Sequence, residues 1–365
     1  MGARRPWAWP LVPLYAAVIG VKNALRSAGL LKVRRLKRPV VSVGSISAGG
    51  AGKTPVVIAL AKMLRARGWD VDVLSRGYGR TGQDVEWVAA LGENAAERYG
   101  DEPVVIARAT GVPVWVSGNR FEAGHAAENG VGGHAGRPNG HNDLNGNDAG
   151  EAPPGAKAVH LLDDGFQHRQ LARNFDVVLV TAEDLDDTLM PAGNLREGFG
   201  ALRRADAVVV REDELEDVKE RAWKLMREGA QMWLVRRKLV FPAPLLVFTA
   251  GLRPVAFCAV ARPEGFQAML TEAGCGVVET IAFPDHHAYA MGDMERILEV
   301  GRRLGATGFV TTEKDNVKLT KAMCDRLETL GPVMVVGLEA EFADSDAVVN
   351  ALEARLGVGS GEQRA

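Results

Sequence analysis

The run Ser47-Ala48-Gly49-Gly50-Ala51-Gly52-Lys53-Thr54 has the residue types and the spacing of a phosphate grip. Gly49, Gly50 and Gly52 let successive backbone N–H groups turn toward one point, and converging N–H dipoles hold phosphate oxygens. A lysine and a hydroxyl complete the device. Lys53 would bridge the β- and γ-phosphates of a nucleotide, and the Thr54 hydroxyl would hold Mg2+. The full pattern asks for glycine at position 47, where this chain has Ser47.

Carboxylates supply the other half of phosphoryl-transfer chemistry. Leu161-Leu162-Asp163-Asp164 closes an apolar run, and carboxylates leaving the C-terminal edge of a parallel sheet point into the ligand crevice. Two adjacent carboxylates repel unless a cation is near, so Asp163 and Asp164 read as Mg2+ partners of the glycine turn. Phosphorylating a hydroxyl also needs a base, commonly an aspartate in kinases. Asp101, in Gly100-Asp101-Glu102-Pro103, fits that part, with a histidine from Pro284-Asp285-His286-His287 able to tune it or relay its proton. Without those roles both stretches read as ordinary turns.

These residues need a scaffold that brings strand ends together. The glycine turn lies between a β-branched run, Val40 to Val43, and a helical stretch, Pro55 to Arg67. Further short apolar runs at Val71 to Leu74, Val112 to Val116, Val159 to Leu162, Val177 to Val180 and Val208 to Val210 predict a parallel sheet covered on both faces. A proline-containing strand region around Phe241 to Val247 could link this unit to a second. There, strands at Val255 to Val260, Val277 to Phe283, Phe309 to Thr312 and Val333 to Val336 alternate with helices at Glu264 to Ala273 and Met294 to Leu304. The expected fold is α/β: a P-loop NTPase-like parallel-sheet domain over 39–245, a smaller α/β domain over 246–355, and an N-terminal membrane-contacting helix within 1–38.

Composition narrows the class. At 365 residues, 47% hydrophobic and 25% charged, the chain is long enough for two packed domains. A formal net charge of −2 argues against a protein that coats nucleic acid. Cys258, Cys275 and Cys324 form no CxxC pair and read as reduced thiols. The N-terminus departs from this balance, with nine Lys or Arg and no acid between Arg4 and Arg38. The apolar stretch Trp7 to Val21 among them is broken by Pro6, Pro10 and Pro13 and falls short of the roughly 20 residues of a spanning helix. It fits a helix lying in the membrane interface, with its cations on anionic head groups; the bland alternative is a helix packed on its own domain. Gly124 to Lys157, rich in Gly and Asn, reads as a disordered surface insertion. Its histidines, His125, His134 and His141, match no zinc spacing.

Taken together, the motifs resemble one family, the tetraacyldisaccharide 4′-kinases that phosphorylate the lipid A precursor. The matching segments run from Val43-Gly44 through Thr54-Pro55, then Ser75-Arg76-Gly77-Tyr78-Gly79, Gly100-Asp101-Glu102-Pro103 and Asp163-Asp164-Gly165-Phe166-Gln167-His168. Pro191-Ala192-Gly193-Asn194-Leu195-Arg196-Glu197, Asp285-His286 and Thr312-Glu313-Lys314-Asp315 follow, all in the family's order. The resemblance implies transfer of the ATP γ-phosphate to the 4′-hydroxyl of a tetraacylated glucosamine disaccharide 1-phosphate. It also implies a peripheral or monotopic enzyme on the cytoplasmic face of the inner membrane, acting on that lipid precursor and on an anionic lipid surface, with no obligate protein partner. Asp101 would be the base, assisted by His286. Asp163 and Asp164 would serve Mg2+. Arg120, Gln167 and His168 would meet the lipid's phosphate and sugar, and Glu197 the nucleotide or metal side. Tyr78 gains no role from it.

The chain departs from the family's pattern at Ser45, Ser47 and the stretch Ala259-Val260-Ala261-Arg262-Pro263, and the 124–157 insertion is its own. The residues by themselves reach a membrane-contacting phosphate-loop kinase. Two other classes share most of these features: a soluble small-molecule kinase whose N-terminus merely packs, and a membrane-associated nucleotide switch with no phosphoryl acceptor.

Overall fold

A computed structural model describes residues 5–90, 92, 94–129, 157–241 and 253–357, together with the backbone of 141–142 and 148–149. In chain order the strands are β1 Val40–Ser45, β2 Asp70–Ser75, β3 Glu86–Trp87, β4 Val114–Val116, β5 His141–Asn142, β6 Asp148–Ala149 and β7 Ala158–Asp163. They continue as β8 Phe175–Leu179, β9 Ala207–Arg211, β10 Gln231–Val240, β11 Pro254–Cys258, β12 Glu279–Ala282, β13 Gly308–Thr312 and β14 Val333–Phe342. Twelve of them form one sheet, in the order β12-β11-β13-β14-β10-β9-β8-β1-β7-β2-β4-β3. β5 and β6 pair only with each other.

The sheet is mostly parallel, as the unbroken apolar runs predict. All six residues of β1 are buried, because β7 and β8 flank it in parallel register and helices cover both faces. The helix Lys53–Ala66 buries Val56, Val57, Leu60, Ala61 and Leu64, the one-sided spacing of a helix laid on a sheet. From β1 the chain crosses to β2 on one side, while β8 lies on the other. That reversal opens a crevice at the carboxyl ends of β1 and β7.

The expected boundary near residue 245 falls where the sheet does not break. β10 pairs antiparallel with β14, matching Leu239 to Leu338, and β14 continues in parallel into β13. The strands from residue 254 onward therefore extend the first sheet, while Val255, Phe257, Ile297 and Phe309 pack into a cluster of their own. The expected strand at 241–247 lies almost wholly outside the described residues, as does most of the 124–157 insertion. Its first residues, however, belong to the helix Arg120–Asn129, in which Gly124, Ala126 and Ala127 are buried. His125 sits on that helix with its ring stacked on Phe121. The insertion thus begins no earlier than residue 130.

At the N-terminus, a 3-10 turn Pro6–Leu11 runs into the helix Val12–Ser27. Pro6 and Pro13 fall in the first turn of each, where the missing N–H has no helical acceptor, and Pro10 lies within the 3-10 turn, so none of the three ends the run. The continuous segment Pro6–Arg26 has 21 residues and a mean hydropathy of 1.2, long and apolar enough to cross a membrane. The shortness inferred from the prolines is therefore not a feature of the folded chain. Trp7, Leu14, Val18 and Val21 are exposed, whereas Ala8 is fully buried. Tyr15 donates to the Arg196 carbonyl at 3.0 Å, and Arg169 donates to Asn23 at 2.9 Å. One side of the helix is tied to the segment that borders the crevice, and the other is bare and apolar.

Candidate active site

The crevice is a cleft of about 1190 Å³, lined by the glycine turn on one side and by Tyr78, Asp285, His286 and Lys314 on the other. Gly49, Gly50 and Gly52 all take positive φ (78°, 66° and 85°), a left-handed backbone that other residues adopt only with strain. Gly52 then caps the helix Lys53–Ala66, so the helix N-terminus faces the cleft. The outer side of the turn is laced to the 190s segment: Ala48 N–H donates to Asn194 O at 2.8 Å, and Arg196 N–H to Ile46 O at 2.8 Å. Ser45 holds the turn from within, its hydroxyl donating to Ser47 O at 2.6 Å.

Asp163 and Asp164 end β7 beside this turn, in different surroundings. Lys53 Nζ stands 3.4 Å from Asp164 Oδ1, and Arg196 Nη1 lies 2.8 Å from Oδ2. Burial by itself would raise the Asp164 carboxyl, but these two cations outweigh it and hold the carboxyl below its usual range. Asp164 adopts φ 49°, the left-handed region, where non-glycine residues are uncommon. Asp163 is 2% exposed and accepts one hydrogen bond, from Ser75 at 2.9 Å. Its Oδ1 is buried and has no hydrogen-bond partner among the described residues. Burial, reinforced by Glu102 and Asp164, pushes its pKa up to about 7.

An orphaned carboxylate oxygen on a residue that lines the cleft with the glycine turn fits a cation. Among the described residues no three His, Cys, Asp or Glu gather as a cage. That suits Mg2+, which is held by one or two carboxylates plus nucleotide phosphates and water. Thr54 and Asp163 are the residues that would hold it, because Asp164 is already engaged by Lys53 and Arg196.

The unpaired Asp163 has a stability signature. Its folded pKa lies above its unfolded value near 4, so the protonated form is favoured by folding. Stability it contributes below pH 4 is lost as the pH rises through about 7. Asp163→Asn is therefore expected to raise Tm, by more at pH 8 than at pH 5. Thermal melts at the two pH values check this, and an equal or negative shift at pH 8 would contradict it.

Across the cleft, Asp101 opens the helix Asp101–Thr110 and is 6% exposed. Its position depends on Gly100 (φ 94°), where a Cβ would stand 3.0 Å from both Gly77 Cα and Tyr78 O. The Ser75–Tyr78 loop can pass this close only because residue 100 has no side chain. Asp101 Oδ2 lies 2.9 Å from His286 Nδ1, joining residues 185 apart in sequence. His286 also has positive φ, 61°, and the Tyr78 ring packs on it at 5.1 Å between centroids. Lys314, from the short helix Glu313–Asn316, reaches Asp285 at 3.1 Å, Glu102 at 3.5 Å and Asp101 at 3.9 Å.

Electrostatics tie the pair together. Burial would raise the Asp101 carboxyl, but the hydrogen bond to His286 and the charge of Lys314 outweigh it and set it below the usual range. The same hydrogen bond raises His286 against burial and against Lys314. At neutral pH the pair is a carboxylate bonded to an imidazole whose proton affinity is above normal.

The remaining expected site residues divide. Arg120 is 4% exposed and His168 half-buried, and both line the cleft with Gln167. Burial lowers Arg120 to about 10, with Asp163 and Asp164 opposing the drop, so it stays charged at neutral pH. Burial and the nearby Arg120 and Arg173 bring His168 down to about 4, so its ring is neutral. Gln167 is fixed by its donation to Ser45 O at 2.9 Å. Glu197 does not line the cleft, and both its oxygens accept from Arg204 at 3.0 and 2.9 Å. Reading the residues alone assigned no part to Ser75, Arg196 or Lys314. Lys314 had the clearest signal, a lysine between two acids directly after an apolar strand.

The model of the family described as LpxK, tetraacyldisaccharide-1-P 4′-kinase, matches residues 4–357. The chain belongs to the tetraacyldisaccharide 4′-kinase family. The tetraacyldisaccharide 4′-kinase of Koribacter versatilis is 37% identical over 359 residues, covering 95% of this chain and 99% of that protein. The one from Anaeromyxobacter dehalogenans (strain 2CP-1) is 35% identical over 360 residues, covering 94% and 88%. Among solved structures, the "apo" form of LpxK from Aquifex aeolicus in complex with ATP matches with a TM-score of 0.72 and 28% identity, covering 96% of this chain and 98% of that one. The chain therefore shares the fold of that LpxK structure over nearly its full length.

Proposed function

We propose that the chain transfers the γ-phosphate of ATP to the 4′-hydroxyl of a tetraacylated glucosamine disaccharide 1-phosphate, at a membrane surface. The carrying observation is that one cleft is lined by a glycine turn with Lys53 on one side and, on the other, by His286, whose ring is hydrogen-bonded to the buried Asp101. A nucleotide switch needs only the first side. A hydroxyl acceptor needs both.

Backbone N–H groups of Gly49 to Thr54 and the Lys53 ammonium receive the phosphate chain. Mg2+, when bound with the nucleotide, supplies positive charge among its phosphates. As the bond from the 4′-oxygen to the γ-phosphorus forms and the β–γ bridge breaks, the hydroxyl proton must leave. Asp101 and His286 accept it as one base. The carboxylate supplies the negative charge, and the imidazole stabilises it and stands at the cleft wall. Arg120 retains the charge to hold a phosphate, whereas neutral His168 and Gln167 suit sugar hydroxyls. Glu197 acts at one remove, by fixing Arg204 beside Phe166.

The bare side of the N-terminal helix suits a lipid surface. Burying each of Leu14, Val18 and Val21 in lipid stabilises the bound state by roughly 1.5–3 kcal/mol. The cations of residues 4–38 add attraction to anionic head groups, except Arg38, which is held within the fold by Asp70 and Asp72. This supports a place on an anionic membrane surface, which the family reading puts at the cytoplasmic face of the inner membrane. Removing residues 1–30 is expected to release the protein from anionic liposomes and raise the Michaelis constant for micellar lipid. High salt should weaken binding of the intact chain. Liposome sedimentation checks both, and undiminished sedimentation of the truncated chain would refute the anchor.

Acceptor dependence tests the function itself. ATP consumption should require the tetraacyldisaccharide 1-phosphate and yield labelled lipid. Phosphate release indifferent to lipid would favour a switch, and labelling of water-soluble sugars alone a soluble kinase.

A further inference from the structure

We infer that Arg262 contacts the phosphate chain of the bound nucleotide, and that Glu183 competes with those phosphates for its guanidinium. The inference rests on the kinase reading above and adds a residue to the nucleotide side of the cleft.

Arg262 lies in the loop between β11 and the helix Pro263–Glu272, far along the sheet from the glycine turn. The loop nevertheless comes back over that turn. A Cβ on Gly49 would lie 3.9 Å from Ala261 Cβ, and a Cβ on Gly50 only 2.7 Å from Arg262 Nε. Both glycines line the cleft with Arg262, so its guanidinium is on the phosphate side of the turn. The far end of the fork is held by Glu183, at 3.1 Å from Nη2, with Thr181 Oγ1 at 3.4 Å.

This is a cation placed against converging N–H dipoles, in the cleft that Lys53 also lines, an arrangement that favours an anion at that point. Glu183 is a weak substitute for one, since its side chain is 57% exposed and an exposed ion pair is worth little. A polyphosphate offers more charge and accepts two parallel N–H bonds from an arginine. Arg211, another arginine of the cleft, is engaged by Asp213 at 3.1 Å and by Glu214. Arg237 also reaches the turn, its Cδ 4.0 Å from a Cβ on Gly52, but Arg262 adjoins Gly50 more closely, so it adds a donor where charge develops on the transferring phosphate.

Two variants test this by turnover and by binding of a fluorescent ATP analogue. Arg262→Ala is expected to lower kcat with saturating lipid by about 10²-fold and to weaken nucleotide binding, with Arg262→Lys restoring only part. Glu183→Gln, which frees the arginine, is expected to tighten nucleotide binding by about 2–5-fold. Wild-type kcat and nucleotide affinity in Arg262→Ala would overturn the inference. So would a Glu183→Gln protein that binds nucleotide no tighter than wild type. Nucleotide binding is read without lipid, so it judges Arg262 even if the wild type fails to phosphorylate the lipid, which would sink the kinase reading instead.

Discussion

Asp101→Ala and His286→Ala are each expected to slow turnover by about 10²–10⁴-fold while nucleotide binding is retained. The double mutant should be little worse than either single, because two groups bonded at 2.9 Å that accept one proton act as a unit. Fully multiplicative losses would show that they act independently. The pH profile carries the same claim. The pair is a base only when the imidazole is neutral, so kcat/KM should rise with pH. Because the Asp101 hydrogen bond raises His286, the midpoint should lie above the ordinary value of about 6.5. In Asp101→Asn that bond to a carboxylate is gone, leaving burial and Lys314, which lower it, against the smaller raising effect of Asp285. The midpoint of the residual activity should then fall to or below about 6.5. A midpoint that does not move would separate His286 from Asp101.

Lys53→Ala is the second large effect expected. It removes the charge that meets the transferring phosphate, and turnover should drop by about 10²-fold or more. The fold should survive, since Asp164 keeps Arg196 as its partner at 2.8 Å and the glycine turn keeps its ties to Asn194 and Ile46. Steady-state kinetics beside a thermal melt check both parts. Near-normal turnover with an unchanged melt would refute the phosphate-loop reading.

What the sequence makes legible follows the range of the interactions involved. The strand–turn–helix around Gly52-Lys53-Thr54 is local, fixed by glycine φ angles and by a one-sided helix, so residue types and spacing reveal it. Strands β1, β7, β8 and β9 are buried on both faces and therefore read as apolar runs. β10 does not. Its Arg236, Arg237 and Lys238 interrupt the run, because this half of the strand alternates between outward and inward positions. The antiparallel seam of β10 with β14 was missed with it, and with the seam the single continuous sheet. The helix Arg120–Asn129 was lost to the glycine-rich insertion because RFEAGHAAEN has no large apolar stripe, and small residues do its packing.

The site shows the same limit. Asp163 and Asp164 look alike as a sequence pair, yet one is orphaned and the other doubly paired, which depends on Arg196 and Ser75 arriving from elsewhere. Contact between Asp101 and His286 spans 185 residues, and no local pattern encodes it; the chemistry of a base called for a histidine beside Asp101, and the family's order of motifs singled out His286. Glu197 shared that signal, and its side chain turned out to face Arg204.

The most direct measurement is the position of the new phosphate. The intact chain, Mg2+, ATP and the tetraacyldisaccharide 1-phosphate would be mixed in detergent micelles and the lipid product analysed by 31P–1H correlation spectroscopy. A new phosphorus signal coupled to the proton at the 4′ carbon is the predicted result. Phosphorus at any other position, or ATP consumed with all its phosphate free in solution, would contradict the account.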